Sequence, residues 1–396
     1  MKFNFEYTRP NSAKRARLGK ITTPHGVINT PSFIFCATKA SIKGVNPHQM
    51  KTEKTQVILS NTYHLMLQPG GEVVEKMGGL HKFMGWDGPM LTDSGGYQIF
   101  SLGHGSVSQE IKGRRSQTTE ARNKSLMKIS EEGAIFRAYN NGTKQLLTPE
   151  RSIQVQKQLG ADLIVVLDEC TPYHVSKDYT RRSMEMSHRW ALRSLSEFNR
   201  ITDGSQALYG IIQGGVYQDL RDEGIDFVNS NQFFGHAIGG SLGARKEEMY
   251  EIVSHTATKL SDERPIHLLG IGGIKDVFAG VKCGIDTFDC VHPTRLARHG
   301  GALVMGGDQK GREHINIKNS QFRFDNSPIE PVCDCYTCKN YSKAYLHHLI
   351  KAQEMLALSL ITIHNVRFMN RCFEAIREAI EQDNLDEIEK KWLVAS

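Results

Sequence analysis

The chain has 396 residues, 39% of them hydrophobic, and a formal net charge of +6. It contains no apolar run of about 18 residues, which argues against a membrane-spanning helix, and its first residues, MKFNFEYTRPNSAKRARLGK, lack the apolar core of a secretory signal. The mild positive charge is compatible with a polyanionic partner without requiring one.

In chain order, a unit recurs: a short apolar run, a Gly-rich or polar turn, then a helical pattern. The apolar runs are QVILSNTYH, PMLTDSGGYQ, DLIVVLDECT, LYGIIQGGV, GHAIGGSLG, IHLLGIGG and DTFDCVHPT. Continuous apolar runs of this length suit strands buried on both faces, hence a parallel sheet. Between them, Thr148, Pro149 and Glu150 give a helix an N-cap, a proline at its first position and an acid in its first turn, and Gly160 ends it. Ser176 opens a longer amphipathic segment through about Phe198, and RKEEMYEIVSHTATKL predicts another helix. About seven or eight such units favour an α/β (β/α)8 TIM barrel over an open doubly wound sheet. The absence of GxGxxG after the first strand points the same way.

Two stretches break the pattern. Residues 100–147 are polar and hairpin-like, and residues 301–345 contain a cysteine cluster; both read as insertions. The segments NRCFEAIREAIEQDN and LDEIEKKWLVA predict C-terminal helices. The expected organisation is a barrel over 1–300, a zinc-binding insertion over 301–364, and closing helices over 365–396.

In a barrel of this type, polar residues at the C-terminal ends of strands face a shared mouth. Asp93, Asp168, Gln213 and Asp289 end four of the apolar runs. Glycines at 95, 96, 214 and 215 follow, where backbone must approach a ligand closely. Clustered carboxylates imply a metal site, general acid/base work or a covalent carboxylate. A metallohydrolase barrel would add histidines at strand ends; His64 and His292 are available, but there is no HxH pair. In GIDTFDCVHPTRLARHG, Asp289 ends a strand and a loop bearing Arg295 and Arg298 is expected to follow.

Eight cysteines are too few for a disulfide scaffold at this length. CDCYTC brings Cys333, Cys335 and Cys338 together, which predicts a metal site in a reducing, cytoplasmic compartment. Three thiolates and one imidazole would close a tetrahedral zinc shell, one structural Zn2+ per subunit with no position left for catalysis. His364, in ITIHNV, is the expected fourth ligand, with His347 and His348 also near. Cys36, Cys170, Cys283, Cys290 and Cys372 are scattered and read as packed free thiols.

Together, LTDSGGYQIFSL, LDECTPY, GIIQGG, AIGG, FDCVHPTRLARHG and CDCYTCKNYSKAYLHHL with TIHN closely resemble the bacterial tRNA-guanine transglycosylases, over essentially the whole chain. That family has a (β/α)8 barrel with an inserted zinc subdomain. It exchanges guanine at the first anticodon position of certain tRNAs for a free 7-deazaguanine. The resemblance implies that Asp289 is the nucleophile on ribose C1′ and Asp93 the general acid/base. It implies a base pocket of Asp93, Ser94, Gly95, Gly96, Tyr97, Asp168, Gln213, Gly240 and Leu269. Asp168 would read the donor edge of guanine, Gln213 and the Gly240 N–H its carbonyl, and Tyr97 and Leu269 would sandwich the ring. RNA contacts are implied for Gly270, Ile271, Gly272, Gly273, Ile274, Lys275 and Asp276, and for Thr294, Arg295, Leu296, Ala297 and Arg298. A homodimer is implied, with Tyr345 and His348 where its contacts would fall. A non-catalytic RNA-binding partner subunit of the same fold is the alternative; it would be expected to lack one of the carboxylates.

One segment departs from the bacterial pattern. After the double glycine that pattern reads Leu-Ala-Val-Gly-Glu; here it reads Ser241, Leu242, Gly243, Ala244, Arg245. Gly243 removes a branched side chain from the pocket wall, and Arg245 puts a cation where the pattern has Glu. Relatives that insert queuine, with its bulky cyclopentenediol, also have Gly at the Val position. The expectation is therefore that the incoming base is queuine rather than 7-aminomethyl-7-deazaguanine.

Overall fold

The structure is a computed structural model that describes residues 3–12, 14–98, 126–308 and 310–393. Eight parallel strands close into a barrel, each paired with its neighbours in sequence: Ser32–Cys36, Ile58–Ser60, Met90–Thr92, Leu163–Val165, Ala207–Ile212, Gly235–Ile238, Ile266–Leu268 and Thr287–Cys290. Seven of them lie in the predicted apolar runs. The remaining one, SFIFC, is the first of the barrel and pairs with the last, Asp289 opposite Ile34 and Cys290 opposite Phe35. Residues on these strands are buried on both faces, so they show no alternation.

The predicted helices form where their caps stand. In Pro149–Leu159 the Thr148 hydroxyl accepts the Arg151 N–H, and Gly160 ends the helix at φ +73°. Ser176 accepts the Tyr179 N–H and opens Lys177–Ile201. Lys246–Lys259 follows the sixth strand. The segment after the eighth strand is not the loop expected from its Pro and Gly. It is a short helix, His292–Arg298, with proline in its first turn, where a missing N–H costs nothing.

Of the polar stretch 100–147, residues 100–125 lie outside the described residues. The rest is a three-stranded antiparallel sheet, Leu126–Ser130, Gly133–Arg137 and Lys144–Leu147. A second antiparallel sheet, Asn4–Thr8, Leu18–Thr23 and Gly26–Thr30, precedes the barrel. It delivers Arg17 to the N-terminal end of the barrel, where the guanidinium forms a fully buried two-point pair with Asp286.

The C-terminal region is built on one helix, Met355–Glu381, which runs unbroken through residue 364. Its Phe373 meets Phe33 and Phe288, on the first and last barrel strands, at ring-centroid distances of 6.0 and 5.8 Å. Asn365 ties it to the preceding chain, accepting from Leu303 N (2.9 Å) and donating to the Pro293 and Gly301 carbonyls (2.9 and 3.0 Å). No helix among the described residues is long and apolar enough to cross a membrane.

Candidate active site and metal centre

The C-terminal ends of the parallel strands place Asp93, Asp168, Gln213 and Asp289 at one mouth. Asp93 follows the third strand directly. Its Oδ1 accepts the Thr62 N–H at 2.9 Å, and its Oδ2 accepts from the Asn61 amide and, at 3.4 Å, from Gln98 Nε2. Burial, helped by the nearby charge of Asp289, outweighs these donors and pushes the carboxyl up to about 7. A carboxyl poised there can both give and take a proton at neutral pH.

Asp168 is buried and faces the Gln213 amide, which donates to Oδ2, and the Ser94 hydroxyl at 3.4 Å from Oδ1. Burial raises it to about 6, against those hydrogen bonds. Glycine is required at 96 because a Cβ there would lie 2.5 Å from the Asp168 carbonyl and 2.7 Å from its Oδ1. Gln213 Oε1 is buried with no partner among the described residues, and it lies 2.3 Å from where a Cβ on Gly240 would be. Leu269 and Gln213 both border Gly239, each 3.3 Å from its missing Cβ. Tyr97 is half exposed and within electrostatic reach of Asp289, Cys170 and Arg295. These residues set polar groups that can donate and accept beside the apolar Leu269 and the ring of Tyr97, chemistry that suits a flat base with donors and an acceptor on one edge.

Asp289 lies on the eighth strand itself. Its Oδ1 accepts the Gly270 N–H at 2.9 Å, and the Cys36 thiol donates to Oδ2 at 3.7 Å. Beside it opens a cavity of about 180 Å³ lined by Cys36, Thr38, Ser41, Lys43, Val291, Thr294, Arg295 and Arg298. Three of its lining residues are cations and none is an acid. Neither arginine is paired with a carboxylate among the described residues; burial, added to by repulsion from Arg295, lowers Arg298. Such a cavity suits a phosphate group.

The other sequence-selected residues divide by exposure. Gly270, Lys275 and Arg295 are exposed, whereas Gly272, Ile274, Thr294 and Ala297 are buried and shape the two segments. Gly273 is the N-cap of the helix Ile274–Lys282. Asp276 accepts from Lys246 Nζ (2.8 Å) and Tyr250 OH (2.7 Å). Gly243 is buried at φ +116°, a conformation that would strain any L side chain, and a Cβ there would fall 2.5 Å from Glu248 Oε2. That carboxylate accepts the Ala244 N–H at 2.9 Å. Arg245 is exposed at the N-cap of Lys246–Lys259, so the acid bonded to this segment's backbone is Glu248, three residues further on.

Several contributors were not singled out from the sequence. Asn61 and Thr62 hold Asp93 from the adjacent strand end, and Cys36 and His267 face Asp289. Asn61 could have been found as the N-cap of Thr62–Leu67, where its Oδ1 accepts the His64 N–H.

Cys333, Cys335, Cys338 and His364 converge, buried, with one ligand atom from each within 4.8 Å of the others. His364 Nδ1 is 3.3 Å from Cys338 Sγ and 3.7 Å from Cys335 Sγ. Its Nε2 sits 2.8 Å from the Leu303 carbonyl, which can only accept. That fixes the proton on Nε2 and turns the Nδ1 lone pair toward the sulfurs, the arrangement of a metal-ligating histidine. The other candidates separate clearly: His347 is engaged with the Ile317 carbonyl at 2.8 Å, and His348 is exposed. The cluster can hold a metal ion. A second group, His25, His81 and Asp162, gathers at the opposite end of the barrel, but its two rings are stacked 3.5 Å apart at 12°. Each ring turns a nitrogen to one oxygen of the buried Asp162, His25 Nδ1 at 2.7 Å and His81 Nε2 at 3.2 Å, so the group reads as a network around that carboxylate.

A family model described as queuine tRNA-ribosyltransferase matches residues 12–396. A queuine tRNA-ribosyltransferase of Roseiflexus sp. (strain RS-1) is 46% identical over 400 residues, covering 99% of this chain and 98% of that protein. One from Photobacterium profundum is 44% identical over 387 residues, covering 98% and 95%. One from Vibrio cholerae is 43% identical over 388 residues, covering 98% and 94%.

Proposed function

The chain belongs to the queuine tRNA-ribosyltransferase family, and on that footing we propose that its barrel mouth exchanges a tRNA guanine for a 7-deazaguanine by two displacements through Asp289. It is a pentosyltransferase, with tRNA as its substrate. The observation that carries the assignment of residues is the meeting of three carboxylates in three different environments.

Asp289 attacks ribose C1′; the C1′–N9 bond breaks and a glycosyl ester forms. Asp93, half protonated near neutrality, gives its proton to the departing guanine. Guanine diffuses out, and the incoming base enters. Asp93 takes the ring N–H proton of that base as its nitrogen attacks C1′, and Asp289 leaves as carboxylate. Two inversions retain the configuration at C1′. Asp168 accepts the paired donors of guanine, and Gln213 and the Gly240 N–H meet its carbonyl. The base must first leave the anticodon stack. Arg295, Arg298 and Lys43 would hold adjoining phosphates, and the exposed Lys275 a more distant one.

The incoming base is proposed to be queuine. Support comes from the sequence, where Gly243 stands in place of the branched residue of the bacterial pattern, and its backbone at φ +116° disfavours a side chain there. Arg245 carries no weight in this choice, because it is exposed. With guanine-labelled tRNA and each free base in turn, queuine is expected to release label. Release by 7-aminomethyl-7-deazaguanine but not by queuine would overturn the choice.

Cys333, Cys335, Cys338 and His364 are proposed to hold one structural zinc ion, whose four-ligand shell leaves no place for a water nucleophile. The zinc-bearing segment 301–364 is proposed as an insertion beside a barrel of residues 1–300 and closing helices 365–396. A homodimer is proposed through the same region, where Tyr341 and Tyr345 stack at 5.4 Å, Tyr336 packs on Tyr341, and Tyr345 is 38% exposed. Eight cysteines, none of them in a disulfide among the described residues, fit a cytoplasmic, reducing environment. Asp289→Asn is expected to abolish the covalent RNA adduct while leaving the melting temperature unchanged. An adduct on that variant would refute the nucleophile.

A further inference from the structure

The two oxygens of Asp289 are not equivalent. Oδ1 accepts the Gly270 N–H at 2.9 Å and lies 3.2 Å from His267 Nε2. Among the described residues Oδ2 accepts only from the Cys36 thiol at 3.7 Å, a weak donor. His267 is on the seventh strand, directly paired with Thr287 of the eighth, and its side chain is 2% exposed. Its Nδ1 is 2.9 Å from the Thr287 hydroxyl. Its Nε2 is buried, turned toward Oδ1, and lacks a well-aligned hydrogen bond there. Contacts of this kind are often loose in a free enzyme and tighten when substrate is bound.

The tautomer follows from the neighbours. An ionised carboxylate only accepts, so a lone pair on Nε2 at 3.2 Å would be repelled. The proton therefore sits on Nε2, and the Thr287 hydroxyl donates to Nδ1. Once the loose last contact tightens, the chain of donors runs from Thr287 to His267 to Asp289 Oδ1.

We infer that His267 is a positioning residue for the nucleophile: with the Gly270 N–H it holds Oδ1 back, so that Oδ2 attacks C1′, and it stabilises the carboxylate when Asp289 leaves. This rests on the reading of Asp289 as the nucleophile. The charge on Asp289 is lost when the ester forms and returns when the incoming nitrogen displaces it. A donor on Oδ1 favours the charged state, so it assists the second displacement more than the first. Loss of the donor makes the carboxylate a poorer leaving group and shifts the enzyme toward its glycosyl ester.

The test uses the full-length enzyme with tRNA and free base. His267→Phe keeps an aromatic ring in the space and removes both nitrogens. It is expected to lower kcat roughly ten- to a hundredfold, the range for losing one hydrogen bond to a charged group, with KM for tRNA falling alongside it because the ester breaks down more slowly than it forms. The fraction of enzyme trapped as covalent adduct during turnover should rise. His267→Gln, whose Nε2 can donate toward Oδ1, should recover most of the loss. Thr287→Val should raise the adduct fraction in the same direction and covers the case in which the Phe variant does not fold. A folded His267→Phe or Thr287→Val enzyme with wild-type kcat and adduct fraction would overturn the inference, as would a change confined to KM. An adduct on Asp289→Asn would instead refute the underlying reading of the nucleophile.

Discussion

Gln213 donates its amide to the Asp168 carboxylate and leaves its own oxygen buried without a partner among the described residues. The pair is thus organised before any base arrives, with Asp168 oriented as an acceptor and Gln213 oriented by it. Asp168→Asn would put an N–H2 group where the guanine donors must dock, and would leave two donors facing each other in a buried slot. The expected result is a fall in kcat/KM for guanine exchange of about a hundredfold or more, the scale of an unmade buried hydrogen bond to a charged group. Steady-state exchange of labelled guanine measures it; a change below about threefold would remove Asp168 from base reading.

Asp93 sets a pH dependence whose sign can be worked out. Its carboxyl is pushed up to about 7 in the fold from 3.8, by burial first and the Asp289 charge second. A raised pKa means that the folded state holds the proton more tightly. Its contribution to stability is full below about pH 4 and is lost as pH rises through about 7. Asp93→Asn removes that titration. Melting curves between about pH 5 and pH 8 should show the variant gaining on the wild type as pH rises. In single-turnover experiments, guanine release by the wild type should decline above about pH 7, because the proton donor is then ionised. A flat release profile would reassign the acid.

Much of this site was legible before the fold was known, and the reason is local. Asp93, Asp168, Gln213 and Asp289 each end an apolar run, and strand ends of a parallel barrel share one face. The helix Pro149–Leu159 was legible from Thr148, Pro149 and Gly160, which act through neighbouring backbone alone. His267 was not, because its meaning depends on register. It pairs with Thr287, two residues before Asp289, and the period-two alternation of a strand puts both on one side. The long helix Met355–Glu381 was recognised only over its C-terminal part. From Leu360 to Asn370 every residue is buried, so the amphipathic stripe that marks a surface helix is missing. The choice of His364 over His347 and His348 likewise needed the Leu303 carbonyl, which orients the ring.

The metal centre is expected to be structural. Cys335→Ser removes a fully buried thiolate from the cluster. Elemental analysis should fall from one zinc per chain toward none, and the melting temperature should fall with it, because structural zinc binding is part of the folding free energy. His364 supplies both a ligand and a tie between the long helix and Leu303, so His364→Ala should cost more than Cys335→Ser. Undiminished zinc content in both variants would place the ion elsewhere.

Among the described residues Arg295 and Arg298 pair with no carboxylate, and they line, with Lys43, a cavity beside Asp289 that has no acid in its lining. Two like charges held this close without a counter-ion are unfavourable in the free protein, and repulsion from Arg295 adds to burial in lowering Arg298. The cost is recovered when an anion enters. Each phosphate neutralised releases condensed counter-ions, and for single-stranded RNA the logarithm of the association constant falls by about 0.7 per contact for each logarithm of salt. Arg295→Ala and Arg298→Ala should each weaken binding of an anticodon stem-loop at low salt and flatten the salt slope by about that amount. Release of guanine at saturating RNA should change much less, because neither side chain approaches Asp289 within ion-pair distance. Unchanged slopes with a large loss of kcat would move the arginines from gripping the RNA backbone to the reacting centre itself.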